Sequence, residues 1–166
     1  MVPENSTTSQ EQQVPSEKAL QCGDVGTYRE QQKKESNGHE RDHVPATSRM
    51  LRAGEDYCNK NKPPTLTEAQ KTCFQRFVKM DALSIAIPKP VHRGYSRTCS
   101  NRGGTARLNE DLGKDDLGAK DDFAEIEPHL DDACKKKYQE AQAKMLEQLP
   151  DKLFKECQKK AKDECE

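Results

Sequence analysis

Apolar residues are sparse along this chain, and their spacing names the elements they belong to. Leu83-Ser84-Ile85-Ala86-Ile87 is a short, mostly apolar run with two isoleucines, closed by Pro88 and Pro90, which predicts a strand. Upstream, Thr65-Leu66-Thr67-Glu68 has the form of a capping box and opens a helix with Ala69, Cys73, Phe74 and Phe77 near one face. Pro45 disfavours helix at Val44, so Thr47 or Ser48 is expected to cap a helix running to about Tyr57, with a loop over 59–64. Residues 21–45 carry Gly, Asn-Gly and scattered apolar positions, the pattern of short strands and loops. A helix is expected over about 128–148, broken at Pro150. A second follows from Asp151, with Leu153, Phe154 and Cys157 packing the pair on the body as scaffold. The stretch HRGYSRTCSNRGG reads as a polar loop. So does 109–122, where DLGKD is followed by DLGAKD and the spacing does not fit an EF-hand.

Composition narrows the architecture. Among 166 residues, 31% are hydrophobic and 5% aromatic, and the mean hydropathy is −1.13. Such a chain supports one small domain with polar extensions rather than a large core. Residues 1–20 are expected to be a flexible lead, 21–107 the core, 108–127 an acidic loop and 128–166 helices packed on the core. No apolar run is long enough to span a membrane. The N-terminal MVPENSTTSQEQQVPSEK lacks the basic start and apolar stretch of a secretory signal, so synthesis in the cytoplasm is expected. Seven cysteines, at 22, 58, 73, 99, 134, 157 and 165, include no C-x-x-C pair. Their number is odd, and one or more disulfides would suit a thin core.

Charge is segregated. Residues 49–107 hold twelve Lys/Arg against four acids, whereas 108–132 hold ten acids against two lysines. The basic half is what a phosphate-binding surface requires, because affinity for polyanions comes largely from neutralised phosphates.

The candidate chemistry lies in Gly38-His39-Glu40-Arg41-Asp42-His43-Val44-Pro45. Phosphodiester hydrolysis needs a base to deprotonate water and a cation to stabilise charge on the phosphate. An Asp beside a His offers a ligand and a base. Successive side chains of an extended segment point opposite ways, so Asp42 can face a metal while His43 faces water, unless a loop bends both to one place. Downstream of the expected strand come His92, then Ser96-Arg97-Thr98 and Asn101-Arg102. His92 follows a rigid element closely enough to supply a second ligand, and Arg97 and Arg102 suit bidentate phosphate contacts.

The segment DHVPATS resembles the first motif of HNH (ββα-metal) nucleases. Together with IAIPKPVHRGYSRT, it resembles the nuclease domains of bacterial polymorphic toxins and type VI secretion effectors over residues 38–107. That resemblance implies an α+β fold with a small ββα-metal-like core wrapped by helices. It makes Asp42 and His92 metal ligands, His43 the general base and Arg97 a catalytic phosphate contact, with Arg93 and Arg102 as further phosphate-binding residues. Glu40, His39 and Asn101 are secondary candidates, and Cys99-Ser100-Asn101-Arg102 departs from the Tyr-Gly-Gly-Arg-Asn of that family. The implied cofactor is a divalent cation, magnesium first and calcium, manganese, nickel or zinc as alternatives. The implied partners are DNA or RNA, a cognate immunity protein and a secretion-system component, with no membrane association. Export by a signal-independent route and action in the cytoplasm of a target cell follow. Two rivals stand beside this reading: a metal-independent RNase using His43 and His92, and a non-enzymatic nucleic-acid-binding module.

Overall fold

The computed structural model describes residues 18–60, 63–148 and 150–166. Most of the expected flexible lead lies outside them, but its end does not behave as a tail. Leu20 is fully buried, and Lys18 and Leu20 exchange backbone hydrogen bonds with Glu35 at 2.7 and 2.9 Å.

The fold is α+β. Among the described residues, three strands form one antiparallel sheet: β1 (Val25–Thr27), β2 (His39–His43) and β3 (Leu83–Pro88), in the order β1-β3-β2. The expected strand is therefore the central one, and residues 85–87 are completely buried, as a strand covered on both faces should be. Helix α1 (Tyr28–Gln31) follows β1 directly. Helices α2 (Thr47–Lys60) and α3 (Glu68–Asp81) form the connection from β2 to β3.

Two boundaries differ from expectation. The capping box that opens α3 uses Thr67 and Gln70, not Thr65 and Glu68: Thr67 Oγ1 accepts from the Gln70 amide, and the Gln70 side chain accepts from the Thr67 amide. Leu66 is thereby buried just ahead of the helix. The second difference is at 92–95, expected as the start of a loop and found as the end of helix α4 (Lys89–Tyr95). Pro90 ends the strand but does not oppose a helix start, where a missing N–H breaks no internal bond.

The expected acidic loop over 108–127 is a correction too. It folds mostly as α5 (Gly104–Leu112) and α6 (Ala119–Ile126), separated by a turn that reaches Gly118 at φ 84°. Ala119, Phe123 and Ile126 form an apolar stripe at helical spacing, which is enough to dock α6 despite its charge. Helices α7 (Asp132–Gln148) and α8 (Asp151–Glu164) complete the chain as expected.

Two apolar clusters result. One joins α2, α3 and α8 through Met50, Phe74, Phe77, Val78, Leu153 and Phe154. The other joins β3, α6 and α7 through Ile85, Ile87, Phe123, Ile126, Tyr138 and Met145. Each is closed by a disulfide, Cys73–Cys165 for the first and Cys22–Cys134 for the second. The bridges span 92 and 112 residues, and the loss of unfolded-chain entropy over loops of that size is worth about 4–5 kcal/mol each in a chain-entropy model. Cys58, Cys99 and Cys157 remain free.

Candidate functional site

Strand β2 pairs with the buried β3 over its whole length, from His39 opposite Pro88 to His43 opposite Ser84. That register fixes where its side chains emerge. Alternation puts Glu40 and Asp42 on one side and His39, Arg41 and His43 on the other.

On the carboxylate side, His92 comes down from α4 between the two acids. Its Nδ1 contacts a Glu40 oxygen, and its Nε2 lies 3.3 Å from Asp42 Oδ1. Burial opposes the charged imidazolium, but Asp42 and Glu40 outweigh it and hold His92 up at about 9. Glu40 also accepts from Arg93 at 2.8 Å. Although burial works against the charged form, His92 and Arg93 keep Glu40 below its ordinary range.

On the other side, His43 is 8% exposed. Its Nε2 donates to the Lys79 carbonyl at 3.1 Å, and its ring packs on Tyr28 at 4.4 Å between centroids. A carbonyl can only accept, so the neutral ring keeps Nδ1 as an acceptor. Burial pushes His43 below its ordinary pKa, against the pull of the Lys79 carbonyl and Asp42. The two histidines thus have opposite protonation preferences. Asp42, His43, Thr47, His92, Thr98 and Cys99 nevertheless border one cavity of about 230 Å³, so the end of β2 brings both sides to a common opening.

The arginines are placed differently from the surface that the charge count suggests. Arg97 is 12% exposed in its side chain and donates to Asp111 and Asp122 at 2.9 Å each. Asp111 also accepts from Arg49 Nε at 3.1 Å, and both of those side chains are 1% exposed. Burial opposes the Asp111 charge, yet Arg97 and Arg49 keep its pKa below the usual range. In Asp122 burial wins, and the carboxyl rises to about 7 even with Arg97 beside it. Arg102 donates to the carbonyls of Arg93, Gly94 and Ser96, and Arg107 to that of Arg97 at 2.5 Å. These contacts fix the 96–102 segment, which carries Thr98 and Cys99 to the cavity. The structure therefore gathers Glu40, Asp42, His43 and His92, with Arg93 at the edge. Arg97 is paired with two carboxylates, whereas Arg102 is held by backbone carbonyls alone. His39 lies at the far end of β2, its Nδ1 on the Asn37 carbonyl at 2.7 Å. Asn101 falls in a short 3-10 turn, and its side chain lies outside the described set.

Sequence reasoning missed Asp111, Asp122, Arg49 and Tyr28. The two aspartates sit among ten acids in a segment that reads as uniformly solvated, and only tertiary partners single them out.

Among the described residues, no group of three or more His, Cys, Asp or Glu is arranged to hold a metal ion. Asp42 Oδ1 and His92 Nε2 lie 3.3 Å apart and would become a pair of donors once His92 gives up its proton, with Glu40 on the second imidazole nitrogen as carboxylates behind metal-bound histidines commonly are. The carboxylate fits a magnesium ion, which keeps several waters and takes oxygens from phosphate, whereas the imidazole better suits nickel or zinc. Comparisons of the chain with protein-family models, with curated proteins and with solved structures return no match.

Proposed function

We propose that the protein is a metal-dependent endonuclease, with DNA as the first-choice substrate. The observation that carries the reading is the division of labour at the end of β2. Asp42 and His92, with Glu40 on the second imidazole nitrogen, share one opening with His43, whose bond to the Lys79 carbonyl leaves Nδ1 as an acceptor. Strands β2 and β3 with α4 support a ββα-like core, in which the helix pair α2–α3 is inserted between the strands.

In this mechanism Asp42 and a deprotonated His92 would hold the cation, which would supply positive charge to the phosphate and the leaving oxygen. Glu40 orients the His92 ring. His43 Nδ1 takes the proton of the attacking water while its Nε2–H stays on the Lys79 carbonyl, so the base does not rotate away as it becomes charged. Arg93, already neutralised in part by Glu40, lies at the rim, where a phosphate can compete for it.

The family resemblance extends the proposal to an antibacterial effector, exported from the producing cell, active in the cytoplasm of a target cell and held in check by an immunity protein. The two disulfides suit a protein that leaves the reducing cytoplasm. The test is incubation of the purified chain with plasmid DNA and with RNA, with magnesium and with excess chelator. Magnesium-dependent nicking is expected, and undiminished cleavage in chelator would overturn the metal role.

One observation favours a second reading. His43 is held neutral and His92 charged, the pairing that general base and general acid need without a metal. Cleavage of RNA alone, indifferent to chelator, would select it.

A further inference from the structure

A second recess, of about 640 Å³, opens along β2 beside the candidate site and shares Glu40, Arg41 and His92 with its surroundings. Its walls are Tyr28, the 36–38 turn, His39 and Lys89. Three features distinguish it. First, its cations are not spent on carboxylates. Arg41 is fixed by carbonyls alone, Nε on Gln31 at 2.8 Å and Nη2 on Lys34 at 2.5 Å, and exposed Lys89 has no acidic partner among the described residues. Arg49, Arg93 and Arg97 around the site are all paired with acids. Second, Asn37 and Gly38 both take left-handed backbone, φ 47° and 73°. A side-chain carbon built on Gly38 would meet no atom within 4 Å, so a ligand can approach the turn closely. The Lys89 amide donates to the Gly38 carbonyl at 3.0 Å, which ties the turn to α4. Third, two aromatic rings, Tyr28 and His39, border a space otherwise lined by polar groups.

We infer that this recess is a subsite for the nucleotide flanking the phosphate at Asp42–His92, and that it selects an unpaired strand. Arg41 and Lys89 hold the flanking phosphate, and the base lies against the Tyr28 and His39 rings. A base can do this only when it has left a duplex stack, and aromatic stacking of this kind is tolerant of base identity. The inference rests on the nuclease reading and deepens it by naming the strand form.

The test measures binding, not cleavage, so that the two can fail separately. A fluorescent ten-nucleotide single strand and the matching duplex are titrated in chelator with wild type, with Lys89→Ala and with Lys152→Ala on α8 as a charge-matched control. The expected result is tighter binding of the single strand and loss of about fivefold to tenfold in affinity for Lys89→Ala at low salt. The slope of log affinity against log salt should also shrink by about 0.7, as for one lost phosphate contact on a single strand. Lys152→Ala should bind as wild type does. Unchanged affinity in Lys89→Ala, an equal loss in both variants, or duplex bound as well as the single strand would overturn the subsite. Specific binding without cleavage in magnesium would leave the subsite standing and remove the nuclease reading.

Discussion

The two sides of β2 differ in how they treat charge. On the Glu40/Asp42 side every functional group is ionic and partnered: His92 between two carboxylates, Arg93 on Glu40, and beyond them Arg97 with Asp111 and Asp122. On the His39/Arg41/His43 side the partners are backbone carbonyls and aromatic rings. A one-residue alternation thus separates a buried histidine that favours its neutral form from ionic groups that are its sequence neighbours. In the proposed mechanism both groups must be unprotonated to act, a state that burial favours in His43 and that His92 reaches only by giving up the proton its two carboxylates hold.

The largest effect that tests this contrast is on rate. His43→Ala should lower cleavage by about 10²–10⁴, the usual cost of losing a general base. Asp42→Ala should also be inactive but partly rescued by high magnesium, which cannot replace a proton acceptor. His43 is buried, packed on Tyr28 and bonded to Lys79, so its alanine variant is also expected to melt earlier, and activity must be compared well below its Tm. Near-normal cleavage by folded His43→Ala would end the mechanism.

Next in size is the anchor of the ionic side. Asp111→Ala would leave Arg49 and Arg97 without their shared carboxylate in a site 1% exposed, and breaking a buried pair from one side costs about 3–5 kcal/mol. Denaturant melts should show that loss, and a change under about 1 kcal/mol would mean that the network is open to water. Glu40→Gln is milder. It keeps an acceptor for His92 but removes the charge behind it, and altering such an outer partner typically costs about 10–100-fold in metal affinity. Magnesium titration of activity should shift by that factor with the plateau rate largely retained, whereas a collapse at saturating magnesium would make Glu40 more than an orienting group.

How much of this was legible beforehand depends on whether the signal is local. β3, α2, α7 and α8 were readable because proline, caps and apolar spacing act within a few residues. The Asp42–His43 pair was readable as a dipeptide, and His92 as a residue placed by a strand. α4 was hidden by two prolines that end a strand as readily as they start a helix. The acidic segment looked solvated because net charge hides which acids have arginine partners more than ten residues away: Asp111 meets Arg97 and Arg49, and Asp122 meets Arg97. The basic surface was overcounted for the same reason, since Arg49 contributes to the sum but is buried.

The smallest effect separates the two histidines by sign. His92 has a raised pKa in the folded chain, near 9 against an ordinary 6.5. Its contribution to stability is therefore complete below about pH 6.5 and is lost as pH rises through 9. His43 is depressed, so its contribution is present above the unfolded value and is lost as pH falls through its lower folded value. In chelator, Tm should therefore fall on both flanks, with an alkaline limb that belongs to His92 and an acid limb that belongs in part to His43. His92→Gln should flatten the alkaline limb and leave the acid one, and His43→Gln should do the reverse. The same raised pKa makes a proton compete with the cation for His92, so magnesium affinity should climb with pH up to about 9 in wild type. A Tm profile that His92→Gln leaves unchanged between pH 7 and 9 would show that the imidazole is not charged between its two carboxylates, and the contrast between the two sides of β2 would then rest on burial alone.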